Sequence, residues 1–305
     1  MPTAARIVPL FVLAVAAPSI ANRIAGKASS PAGARVTIPR SSTERLVFLA
    51  VLLGSMACGK QSGDGSRKGQ PLRVAAAADL AIAFGEIGAA FEKSSGKRVQ
   101  FSFGSTGLLA KQIAEGAPYD VFAAANQSFV DDVAKGGACL ADTKKLYARG
   151  RIVMWSADAS KLPASIEALR DPKYAKVAIA NPEHAPYGLA AQQAMTRAGV
   201  WADVQPRVVY GENVQQTMMF AQSGNVEVAI VALSLAVTAP GGYVAIDPAL
   251  HEPLDQAMVV CTGGSAGGKP NEARAFIAYV DSEPGRAIMR RYGFLLPGEA
   301  LPPPK

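Results

Sequence analysis

Residues 72–107 read LRVAAAADLAIAFGEIGAAFEKSSGKRVQFSFGSTG, and this stretch decides the fold. The run at 72–75 predicts a strand. Leu80, Phe84, Ile87 and Phe91 then recur at spacings of four, three and four, the single apolar stripe of a helix that Gly96 closes. Residues 99–103 predict a second strand, and Gly104-Ser105-Thr106-Gly107 a turn into the next helix.

The same alternation runs on, with strands predicted at 121–124, 152–155, 177–180, 207–210, 226–231, 243–246 and 257–260 and helical periods between them. Strands alternating with helices predict an α/β fold with largely parallel sheets. The 235 residues from 71 to 305 exceed one ordinary core, so two lobes are expected. The chain should cross between them near 148–152 and 242–247, with 71–149 and 246–305 forming lobe one and 150–245 forming lobe two.

The chain of 305 residues carries a net charge of +7, but the charge is unevenly placed. The first 70 residues hold nine basic and two acidic side chains, which leaves 22 of each sign in residues 71–305. The folded part is therefore neutral, and nucleic-acid binding loses its electrostatic basis.

Residues 46–57 (LVFLAVLLGSMA) have the length of a signal-peptide apolar region and fall short of a membrane span. An earlier apolar run at 7–20 is broken by Pro9 and Pro18, and translation is expected to start nearer Arg35 to Arg45. Cys58 directly after Ala57 resembles a lipoprotein processing site, although Ser55 replaces the usual large aliphatic residue. The polar, Gly-rich residues 59–70 read as a flexible tether to a lipid anchor. Residues 1–57 are thus a leader, and the protein is expected on the periplasmic or cell-surface side. Cys139 and Cys261 remain, either paired or as two buried thiols. With only His184 and His251 as histidines and no CxxC or HxxxH spacing, metal ligation by side chains is not expected.

Four loops share one plan, in which a strand ends, small or polar residues follow and a helix begins. They are Ala77-Ala78-Asp79, Gly104-Ser105-Thr106-Gly107, Pro186-Tyr187-Gly188 and Glu212-Asn213-Val214. The first turn of each helix has unpaired N–H groups at the positive end of the macrodipole, which suits an anion. Glycines at 104 and 107 permit close backbone approach, and Ser105 or Thr106 can add a hydroxyl donor. The plain alternative is an N-cap and a turn, and Asn213 with Gln216 resembles a capping box. Ser105 lacks the GxSxG elbow, neither histidine has triad spacing, and no phosphate-binding GxxxxGK[ST] loop occurs. A catalytic role is not expected.

The order of several motifs is more specific. AAADL after the first strand, FGSTGLLAKQI (103–113), GAPYDVF (116–122), NPEHAPYG (181–188), GENV (211–214), VALS (231–234) and RYGF (291–294) together resemble the periplasmic molybdate-binding proteins of ABC importers. The resemblance covers nearly all of 71–297. It implies a type II periplasmic-binding-protein fold, two α/β lobes joined by a two-crossing hinge, which closes over molybdate or tungstate and serves a membrane permease. It implies no cofactor and a monomer. Phosphate, arsenate or sulfate is the alternative ligand.

Carried over position by position, the resemblance places oxyanion ligands at Asp79, Ser105, Thr106, Tyr187 and Val214. Two positions depart from the pattern: Asp79 stands where many members have a hydroxyl residue, and Ala232 where some have tyrosine. An ionised carboxylate repels a dianion. Asp79 is therefore expected to cap the following helix and offer its backbone N–H, or else to accept a proton from an oxyanion such as hydrogen phosphate.

Overall fold

The computed structural model describes residues 69–299, and within them two five-stranded sheets organise the chain. The leader, Cys58 and most of the tether lie outside the described residues. Strand β1 (Leu72–Ala77) leads through a short 3-10 turn (Ala78–Leu80) into α1 (Ala81–Ser95), whose apolar stripe buries Phe84, Ile87 and Phe91. Gly96, at φ 71°, adopts the left-handed conformation that ends this helix. Strand β2 (Val99–Gly104), helix α2 (Thr106–Ala114), strand β3 (Val121–Ala124) and helix α3 (Gln127–Lys135) follow.

In this first sheet β1 lies between β2 and β3 and is parallel to both. Strand β10 (Leu254–Val260) runs antiparallel between β3 and β4 (Lys145–Gly150). Under one face, Phe84 and Phe91 pack edge-on against Phe276 of α8 (Pro270–Val280), at centroid distances of 5.9 and 5.4 Å. Helix α9 (Glu283–Arg291) then returns the chain to β4, where Arg149 pairs with Leu295.

The second sheet has the same plan. Strand β6 (Val177–Ala180) is parallel to β7 (Val208–Gly211) on one side and to β8 (Val228–Ala232) on the other. Strand β5 (Ile152–Ser156) is antiparallel to β8 and to the edge strand β9 (Gly242–Ala245). Helix α4 (Pro186–Arg197) follows β6, the short α5 (Trp201–Val204) leads into β7, α6 (Val214–Gln222) follows β7, and α7 (Leu233–Ala236) follows β8. The chain passes between the sheets at Arg151, between β4 and β5, and again between β9 and β10.

In each sheet the strand order reverses beside one parallel strand, β1 in the first and β6 in the second. Crevices at such reversal points, at the carboxyl ends of the strands, are where α/β sheets hold ligands. Nine strands are expected from the sequence and ten are present among the described residues. The additional one is β4, an edge strand whose polar Lys145 and Arg149 break the apolar pattern. Strand β10 also starts three residues before the expected 257, because Gln256 interrupts its apolar run.

Cys139 and Cys261 form a disulfide that closes a separation of 122 residues. It ties the start of the β4 segment to the end of β10, at the edge of the first sheet remote from the carboxyl ends of β1 to β3. Among the described residues no helix is long and apolar enough to cross a membrane, and no group of three or more His, Cys, Asp or Glu side chains is placed to hold a metal ion.

Candidate functional site

Between the two reversal points lies a small cavity of about 10 Å³. That is about the room one water molecule needs and too little for an organic substrate. Its lining includes Asp79 after β1, Ser105 and Thr106 after β2, Ala125 after β3, Tyr187 after β6 and Val214 after β7. The four loops singled out in the sequence thus meet at one point. None of the lining residues is a lysine or an arginine.

The polarity of this cavity comes from helix starts. In α6 the Asn213 carboxamide accepts hydrogen bonds from Gln215 N and Gln216 N at 3.0 Å each. Gln216 returns an acceptor to Glu212 N at 2.6 Å, so the capping box forms with its return bond one residue upstream of the cap. The cap leaves the Val214 N–H, also in the first turn, without an intrahelical acceptor. In α4 Pro186 occupies the first helical position, and the N–H groups of Tyr187 and Gly188 follow it. A Cβ at Gly188 would overlap the Ala180 carbonyl, so glycine is what lets α4 start directly against the end of β6.

The start of α2 is different. Ser105 is the residue before the helix, yet its hydroxyl makes no cap bond and crosses to the other lobe. It donates to the His184 carbonyl at 2.6 Å and lies 2.8 Å from His184 Nδ1. A hydroxyl has one hydrogen, so the ring nitrogen is the donor in the second contact. Gly107 N donates to the same carbonyl at 2.9 Å. A Cβ at Gly107 would stand 2.8 Å from that oxygen, so the glycine permits a close approach of the two lobes. Thr106 Oγ1 accepts from Ala125 N at 3.1 Å and keeps its own hydrogen available to a partner in the cavity.

Asp79 corrects the sequence expectation. Its side chain caps neither the 3-10 turn nor α1. The carboxylate, 1% exposed, instead accepts at Oδ2 from the Tyr187 hydroxyl at 2.9 Å and from Gln256 Nε2 at 2.7 Å. Gln256 Nε2 also lies 3.0 Å from the Tyr187 hydroxyl, which closes a triangle. Ser234 Oγ, at the start of α7, donates to the Asp79 main-chain carbonyl at 2.7 Å. Two strong donors 108 and 177 residues away outcompete a local cap. Burial raises the Asp79 pKa from 3.8 to about 6, against the lowering effect of the bonds from Gln256 and Tyr187. Burial also lifts the Tyr187 phenol, and the adjacent Asp79 charge adds to the rise.

Sequence reasoning assigned no role to Gln256, Ser234 or the His184 carbonyl. A glutamine buried next to the apolar run 257–260 was the available signal for the first. Ser234 sits in the VALS motif, and nothing local distinguishes it from a helix-start serine.

A family model described as bacterial extracellular solute-binding protein matches residues 72–295. The chain belongs to this family. The molybdate-binding protein ModA of Azotobacter vinelandii is 32% identical over 259 residues, 83% of this chain and 98% of that protein. ModA of Rhodobacter capsulatus is 32% identical over 223 residues, 73% of this chain and 87% of that protein. Among solved structures, the periplasmic molybdate-binding protein of A. vinelandii superposes with a TM-score of 0.68 at 29% identity, covering 74% of this chain and 99% of its own. The fold is the two-lobed α/β architecture of periplasmic binding proteins.

Proposed function

We propose that this solute-binding protein captures molybdate between its lobes and delivers it to the membrane permease of an ABC importer. The observation that carries the reading is the cavity itself: small, set between two sheets, and ringed by helix starts with no cationic side chain in its lining. Thr106 would give its hydroxyl and amide, Tyr187 and Val214 their amides, and Asp79 would face the anion from β1. Ser105 has its hydroxyl committed to His184, so its part is to hold the lobes together around the ligand.

Hydrogen bonds to a charged acceptor contribute roughly 1.5 to 3 kcal/mol each, so these four fixed donors go far to offset the dehydration of a small dianion. Fixed dipoles also favour one bond length, and tungstate, nearly the same size as molybdate, is expected to bind as well. The role is capture without catalysis by a monomer, residues 150–245 swinging against the remainder of the folded part. Isothermal titration of the protein with molybdate, tungstate, sulfate and phosphate tests this. Molybdate and tungstate should bind at micromolar Kd or tighter; binding of phosphate alone would overturn the reading. We further propose that Cys58 carries a lipid anchor. Cys58→Ala should release the protein from membranes, and continued retention would exclude the anchor.

A further inference from the structure

Asp79 is among the residues that line the cavity, and for a cavity that takes an anion a negative charge is the least suitable group. The two carboxyl oxygens of Asp79 are unlike. Oδ2 receives hydrogen bonds from Tyr187 and Gln256, whereas Oδ1 is fully buried and has no partner. The hydrogen directions in the triangle follow from chemistry. The carboxamide of Gln256 donates to both neighbours, and the phenol, having accepted from it, passes its single hydrogen to Oδ2. A proton on the carboxyl therefore belongs on Oδ1, the oxygen left open.

We propose that the anion is bound together with a proton taken from solvent and held on Asp79 Oδ1, so that a neutral carboxyl donates a hydrogen bond to the oxyanion and each capture takes up one proton. This inference rests on the oxyanion reading above. One proton leaves bulk water, forms an O–H bond on Oδ1 and remains there; no bond of the anion breaks. The groups around Asp79 favour this state. The titratable side chains that interact with it are Tyr147 from β4 and Tyr187 from α4, neither of them a cation at neutral pH. Arg151, in the crossing segment, acts on Tyr187 and commits its guanidinium to the Gly293 carbonyl at 2.8 and 3.1 Å. No cation is thus spent on keeping Asp79 ionised, and burial already favours its neutral form. An approaching dianion adds to that preference, since like charges disfavour ionisation.

The arrangement differs from one in which Asp79 accepts a proton brought by the ligand. Hydrogen phosphate would carry its own proton, with no uptake from solvent, and molybdate would be repelled.

The test is isothermal titration with sodium molybdate from pH 6 to 8.5, each pH measured in two buffers of different ionisation heat. Close to one proton taken up per anion at pH 7.5 is expected, with Kd weakening about tenfold per pH unit above pH 7. Asp79→Asn, which keeps a donor but cannot titrate, should give a flat Kd profile and no uptake, and Asp79→Ser should do the same. Binding of molybdate by the unmodified protein with zero uptake and a flat profile would overturn the proposal while leaving the oxyanion reading intact. Absence of heat with all four anions at every pH would overturn both. The proton count on the unmodified protein decides the matter even if neither variant folds.

Discussion

Lobe one and lobe two reach the cavity through the same device, a helix starting at the carboxyl end of a strand, but they furnish it with different materials. Lobe two presents mainly backbone: α6 is capped by its own Asn213 and α4 begins on Pro186, so their free amides are set by local chemistry alone. Lobe one presents side chains whose hydrogen bonds are made across the cleft, Ser105 to His184 and Asp79 to Tyr187. The difference teaches that similar loop sequences give independent structure on one side and conditional structure on the other. Lobe two's half of the site rests on contacts within its own loops, and lobe one's half on contacts made across the cleft.

This contrast can be broken or sharpened experimentally. The largest effect should come from the disulfide, the device that stabilises lobe one away from the cleft. Replacing Cys139 and Cys261 by serine should cost about 2 to 5 kcal/mol in chemical denaturation, with oxyanion affinity unchanged. A loss of affinity would mean that the remote edge of lobe one controls the site.

Next is pH. The Asp79 pKa stands above its unfolded value, so its folded carboxyl holds a proton that the unfolded chain releases, and that stability is lost as pH rises from 3.8 through about 6. The displacement corresponds to on the order of 3 kcal/mol. Asp79→Asn should therefore raise the melting temperature of the unliganded protein at pH 8 and leave it nearly unchanged at pH 4. Equal effects at both would remove the buried charge as the cause.

Thr106→Ala should weaken molybdate binding by about 1 to 3 kcal/mol in titration calorimetry. No change would move the anion away from α2. The smallest effects form a pair. Asn213→Ala should cost about 1 kcal/mol of stability through the lost cap. Ser105→Ala should cost under about 0.5 kcal/mol in the unliganded protein, because Gly107 still satisfies the His184 carbonyl, yet should weaken ligand binding several-fold. If the two variants exchanged these behaviours, the distinction between the lobes would fail.

Much of the architecture is legible in the sequence where local pattern and final environment agree. The stripe from Leu80 to Phe91 and the runs at 121–124 and 177–180 are buried by the packing that their periodicity implies, and the motif order points to the family. Strand β4 is obscured because an edge strand keeps polar residues outside; the chain at 145–150 reads as a loop until β10 supplies its partner. The four loops can be read as strand ends leading into helix starts because that chemistry is local. Asp79 cannot, because the choice between a cap and the cleft depends on Tyr187 and Gln256, which only folding brings near. Ser105 illustrates the same limit: its N-cap position is visible in the sequence, its use of His184 is not.

The clasp at His184 has a last consequence. Where Ser105 Oγ and Gly107 N meet that carbonyl at 2.6 and 2.9 Å, protein touches protein, so the gap across the cavity is gauged by the lobes and not by whatever lies inside. The clasp works as a caliper with a fixed stop. For the proposed ligand this means that an anion smaller than the gap would forfeit contacts, and a larger one would hold the jaws apart and forfeit the clasp.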